Sequence, residues 1–225
     1  MGRKLGIALG LAAVAWGGNA ASADPALSPA QVALFESNHL QAIERPVVLD
    51  YTFDHRGGPG GDFSDKVAAD IRAVHPDGSK DVWIDFLGGE RRHELPPAKG
   101  FEANPLLMFF LEHDVQEMQA ATGGAPQYFR NRLSEAFADR ASLQKIELKV
   151  DGKPLAATEI EVTPFRDDPH LANFPAYAGK TYRFILSDAV PGSLYQITTT
   201  LAAAGNPSAI SEERLTYAGE HEKTP

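Results

Sequence analysis

The chain has 225 residues, 43 % of them hydrophobic, with 30 acidic side chains against 21 Lys and Arg and no cysteine. The missing cysteine excludes disulfides, thiolate metal sites, cysteine nucleophiles and a lipid-modified cysteine. The acidic balance, with no basic cluster set against it, argues against binding to nucleic acid or to an anionic membrane surface.

Three regions follow in order at the N-terminus. Arg3 and Lys4 give a positive start, Ile7 to Trp16 is uncharged and mostly apolar, and Ala21-Ser22-Ala23 places small residues ahead of Asp24. This is the pattern of a cleaved secretory signal. The apolar run is shorter than the roughly 18 residues needed to span a bilayer, so no stable membrane anchor is expected. No twin-Arg pair precedes it, which points to the general secretion route. The expected product is a periplasmic protein whose residues 24–225 form one α+β domain, large enough for a core without covalent staples.

Ser28-Pro29-Ala30-Gln31 carries the signature of a helix start, with Ser as cap, Pro in the first turn and Gln as reciprocal partner. Apolar residues at Val32, Phe35 and Leu40 extend the predicted helix to about Ile43. The period then becomes alternating. Leu49, Tyr51 and Phe53 define a first strand, Val67, Ala69, Ile71 and Ala73 a second, and Val82, Ile84 and Phe86 a third. Short Gly- and Pro-containing turns between them predict an antiparallel meander.

Asn104-Pro105 opens a helix that runs to about Ala121 and stops at Thr122-Gly123-Gly124, and Pro126 opens a second one to about Ala138. The two make a helical hairpin. Ile146, Leu148 and Val150 then alternate up to the turn Asp151-Gly152-Lys153-Pro154, with Ile160 and Val162 on its far side. Residues 164–179 read as loop. Tyr182, Phe184 and Leu186 precede a turn at Pro191-Gly192, and Tyr195, Ile197 and Thr199 follow it. Leu215 and Tyr217 mark a last strand, after which the tail from Gly219 is expected to fray.

The predicted fold class is therefore α+β: a single antiparallel, curved sheet of about seven strands, with an N-terminal helix and a mid-chain helical hairpin packed on one face. This order of elements resembles the periplasmic lipoprotein-carrier fold, an open half-barrel with helices as its lid. The resemblance is architectural, and no residue role is taken from it.

Tests for catalytic and metal motifs are negative. Gly179-Lys180-Thr181 lacks the upstream Gly of a phosphate-binding loop, since position 174 is Phe. His93-Glu94 lacks a second His one turn later, where Pro97 stands. Ser193 lacks the Gly-flanked elbow of a hydrolase nucleophile. Asp50, Asp54, Asp62 and Asp65 lie close together without the spacing of a calcium loop. Asp167-Asp168-Pro169-His170 reads foremost as a turn. His113 and Glu117 sit one helical turn apart, as a surface pair or a shared ligand set. No catalytic residue, cofactor or metal is assigned.

The helix from Asn104 carries the most informative residues. Leu107, Leu111, Val115 and Met118 form one stripe, flanked by Phe110. Asp114 falls inside that stripe, where an unpaired carboxylate is costly, so a cation from Arg130 or Arg132 is expected beside it. Phe109 falls on the opposite face, beside His113. Met108 and Met118 are the methionines of the mature chain, and Met adapts to irregular apolar ligands. Met108, Phe109, Phe110 and Asp114 are therefore the candidate ligand- or partner-binding residues. The favoured function is a non-enzymatic exported binding or carrier protein for a hydrophobic molecule such as a lipid. The alternatives are an accessory or assembly protein that binds another exported protein, and a hydrolase whose site is assembled only in space.

Overall fold

The computed structural model describes residues 26–58, 60–93, 95–166, 168–171, 175–202 and 209–222. The signal-like segment, Glu94 and Asp167 lie outside the described residues.

The first helix begins as its capping residues dictate. Gln31 N–H donates to Ser28 Oγ at 3.1 Å, and Ser28 N–H donates to Gln31 Oε1 at 2.9 Å. The helix is shorter than the apolar spacing predicts. After α1 (Pro29–Gln31) comes one π-helical turn (Val32–Glu36), closed by Ser37, whose N–H and Oγ both donate to Val32 O at 3.0 Å. The chain then turns, because Leu40 N–H finds a better partner in Glu102 O, at 3.0 Å, than in a continued helix.

Among the described residues nine strands form one sheet in the order β4-β3-β2-β1-β9-β8-β7-β6-β5, every neighbouring pair antiparallel. The strands are β1 (Val47–Gly57), β2 (Phe63–Val74), β3 (Lys80–Phe86), β4 (Ala98–Phe101), β5 (Ser142–Val150), β6 (Lys153–Val162), β7 (Thr181–Leu186), β8 (Leu194–Ala202) and β9 (Ala209–His221). Two meanders, β1 to β4 and β5 to β8, are joined edge to edge by β9. The count exceeds the expected seven partly because β4 is too short to alternate; its pairing rests on Lys80 opposite Phe101 and Val82 opposite Ala98. The expected fraying from Gly219 also gives way. β9 continues to His221, with Glu220 opposite Leu49 and His221 opposite Val48, so pairing to β1 holds the segment.

Register puts one apolar face together. Leu49, Tyr51 and Phe53 of β1 lie level with Ala69, Val67 and Asp65 of β2, and Val67 and Ala69 lie level with Phe86 and Ile84 of β3. Bulges at Asp50/Tyr51, Ile71/Ala73, Ile185/Leu186 and Leu201/Ala202 bend the strands. The sheet is thus open and curved, with β4 and β5 as its free edges. Helices α2 (Leu106–Thr122) and α3 (Pro126–Asp139) fill its inner face. Gly123 ends α2 in the left-handed conformation, φ 72°. A side chain at Gly124 would stand 2.7 Å from the Phe129 ring, so glycine is what lets α3 fold back so closely.

A buried polar network ties the N-terminal segment to the start of α2. Asn104 N–H donates to His39 Nδ1 at 3.1 Å, so Nδ1 is the unprotonated nitrogen, and Nε2–H donates to Ala33 O at 2.8 Å. Asn104 Nδ2 in turn donates to Gly192 O at 3.0 Å. Burial holds the His39 pKa below its ordinary value. The unfolded chain therefore takes up this proton more readily than the folded one. The neutral ring's contribution is complete above about pH 6.5 and declines as pH falls toward the folded-state pKa. His39→Asn keeps an acceptor for Asn104 N–H but does not titrate. Urea unfolding as a function of pH should show a shallower loss of stability below about pH 6.5 in this variant than in the parent.

Candidate functional site

A cleft of about 620 Å³ opens between the second half of α2, the short helix α4 (Pro175–Ala178) and the ends of β1, β2, β8 and β9. Its walls are largely apolar, with Phe63, Leu87, Met118 and Leu201 facing the space. Set into them are Arg91, His93, Asp114, Lys180 and Glu213. The topology explains the mixture. β8 and β9 bring Thr199 opposite Glu213 and Leu201 opposite Ser211, and the β1–β9 register brings His55 opposite Glu213.

Two ionic contacts from consecutive residues join α2 to the sheet. Asp114 Oδ1 accepts from Lys180 Nζ and Asp114 Oδ2 from Tyr182 OH, all three residues being buried. Burial, and then the Asp114 charge, push the Tyr182 phenol well above its ordinary pKa. Tyr182 OH also lies 3.9 Å from Met118 Sδ. One residue earlier on α2, His113 Nε2 stands 3.7 Å from Glu213 Oε1. Burial opposes both charges, but their mutual attraction outweighs it. It raises the His113 pKa and lowers that of Glu213. The His93 ring meets the His113 ring edge-on at 5.1 Å. Burial, and then the neighbouring His113 charge, keep His93 below the usual imidazole range. Phe53 and Phe86 complete the setting of His113, with ring centroids 5.9 Å and 5.0 Å away.

The partner expected for Asp114 is corrected here. Arg130 is held by Glu112, Nε to Oε2 at 2.9 Å, and Arg132 by Asp168, Nε to Oδ2 at 2.8 Å. Both arginines are thus engaged by other carboxylates, and the cation comes instead from Lys180. His113 pairs across the sheet with Glu213 and not along the helix with Glu117.

The four candidate residues on α2 divide between two sides of the helix. Asp114 lines the cleft. Phe110 is fully buried in the core beneath it, 6.3 Å from the Phe53 ring. Phe109 is half-buried against the core. Met108 is 54 % exposed and lines a shallower apolar groove of about 330 Å³, shared with Phe35, Leu133 and Phe137.

The remaining acidic motifs are held by local partners. Asp168 is buried and accepts from Tyr128 OH, from Arg132 and from His170 N–H, which fastens its loop to α3. The four clustered aspartates are held by nearby partners: Asp50 by His221, Asp54 and Asp62 by Arg56, and Asp65 by Gly88 N–H. No group of three metal-ligating side chains occurs among the described residues. No helix among them is long and apolar enough to cross a membrane.

No protein-family model matches the chain, and no curated protein matches it at a significant level. Solved structures similar to it include these three. The lipoprotein LppX of Mycobacterium tuberculosis is 13 % identical, with 88 % of this chain and 98 % of that chain covered and a TM-score of 0.36. A DUF1329 family protein from Desulfovibrio piger is 10 % identical over 80 % of this chain and 87 % of that one, with a TM-score of 0.26. A LolA superfamily protein from Nitrosomonas europaea is 8 % identical over 87 % of this chain and 94 % of that one, also with a TM-score of 0.26.

Proposed function

We propose that this chain is an exported, non-catalytic binding or carrier protein that holds a hydrophobic molecule in the cleft between α2 and the curved sheet. The observation that carries this reading is the cleft itself. It measures about 620 Å³, within the roughly 300–1,000 Å³ of small-molecule sites, and Phe63, Leu87, Met118 and Leu201 give it an apolar wall beside its ionisable groups. The signal-like N-terminus supports export to the periplasm.

Native mass spectrometry of protein purified gently from the periplasm of its own host should show an added mass that is lost on denaturation. Affinity for a polarity-sensitive apolar dye supplies a second measurement. Ala121 is an exposed helix residue on the wall of the cleft, so Ala121→Trp fills space without disturbing the core. Dye binding should weaken by about tenfold or more, with the melting temperature unchanged. Unaltered binding would remove the cleft from consideration.

Met108 favours one second reading, the binding of another exported protein, because it leaves an apolar side chain exposed in its own groove. If that groove is the working surface, Met108→Glu abolishes capture of a co-purifying protein while dye binding persists.

A further inference from the structure

The cleft holds a cation whose bonding is incomplete. Lys180 sits on its wall with only 8 % of its side chain exposed. An ammonium carries three N–H donors. Among the described residues Asp114 Oδ1 is its one hydrogen-bond acceptor. The rings of Tyr177 and Tyr182 lie beside it, with centroids 5.8 Å and 5.5 Å from Nζ, and the Glu213 carboxylate feels its charge without a hydrogen bond to it. Ring faces attract a cation but do not replace an oxygen acceptor. Donors left without acceptors in an apolar wall favour a ligand that brings oxygen to them.

The charges around the cleft decide which kind of oxygen. Asp114 neutralises Lys180, and Glu213 neutralises His113. Arg91 is stacked on Phe63, and the carboxylate of Glu117 also lines the cleft. The site therefore offers hydrogen-bond donors without net positive charge.

We propose, on the premise that the cleft is the carrier site, that its ligand is a neutral acyl ester whose carbonyl oxygen accepts a hydrogen bond from Lys180 Nζ while the hydrocarbon chain lies along Met118, Leu87 and Leu201. Lys180 sets the ligand's register, and Asp114 positions Lys180.

Three probes of one chain length test this: methyl laurate, lauric acid and the matching alkane, each competing with the apolar dye. The parent protein should bind the ester about tenfold or more tightly than the alkane, as expected for a hydrogen bond from a charged donor in a buried site, and no less tightly than the acid. Removing Lys180 alone would strand Asp114, so the variant is the double substitution Asp114→Leu with Lys180→Met, which replaces the pair by apolar groups of similar size. It should lose the preference for the ester over the alkane. Equal binding of ester and alkane by the parent overturns the inference, and so does a preference that survives in the double variant. Tighter binding of the acid than of the ester overturns its neutrality. Failure of all three probes to displace the dye sinks the carrier reading itself, and this inference with it.

Discussion

Asp114→Ala is expected to destabilise the fold by about 3–5 kcal/mol, the cost of breaking a buried ion pair by deleting one partner. The deletion leaves the Lys180 ammonium almost wholly enclosed, without the carboxylate it hydrogen-bonds, and Glu213 is already paired with His113. Tyr182 OH also loses its acceptor and keeps only Met118 Sδ at 3.9 Å, a weak one. Asp114→Asn retains an oxygen for Tyr182 and should cost less. Substituting both ends, Asp114→Leu with Lys180→Met, should cost less again, because no charge is stranded. Urea unfolding midpoints of the parent, the two single variants and the double variant give the order. A loss below about 1 kcal/mol for Asp114→Ala, the worth of an exposed pair, would mean that this contact is open to water in solution.

The need for a cation at Asp114 was legible in the sequence, while its source was not. A carboxylate in the stripe of Leu107, Leu111, Val115 and Met118 demands a partner, and Arg130 and Arg132 are the nearest in the chain. They are taken by Glu112 and Asp168, which a reading of local spacing does not reveal. One signal did point to Lys180. It stands two residues before Tyr182 and so begins the alternation that continues through Phe184 and Leu186, facing inward with them. The His113–Glu213 contact joins residues 100 apart, from a helix and a strand with no shared local pattern.

The same division holds for the fold. β1, β2 and β3 are readable because each buries one face against the helices, so period 2 survives in the sequence. The helical hairpin is readable because Pro105, Gly123, Gly124 and Pro126 punctuate it. The sheet order is not readable. β9 inserts between β1 and β8, and only long-range register, such as Phe53 opposite Leu215 and Leu215 opposite Ile197, specifies that position. Likewise the N-terminal helix stops early for a tertiary reason, since Leu40 N–H is engaged by Glu102 O.

Phe110→Ala separates support of the cleft from contact with its ligand. Phe110 is fully buried beneath the helix that walls the cleft, between the sheet and the apolar stripe of α2. Truncating such a ring removes its transfer free energy and leaves a void, about 3–5 kcal/mol in a packed core. Met108→Ala, on the exposed side of the same helix, should stay within about 0.5 kcal/mol of the parent. If the core around Phe53 and Phe86 does not collapse, the void is apolar and should take up benzene. Added benzene should then raise the variant's melting temperature and leave that of the parent unchanged. Dye affinity at a temperature where the variant is fully folded should remain near the parent value, because Asp114, Met118 and Lys180 still hold the cleft wall. The reverse result, a small loss of stability with dye binding abolished, would place Phe110 in contact with the ligand and require α2 to stand further from the sheet in solution.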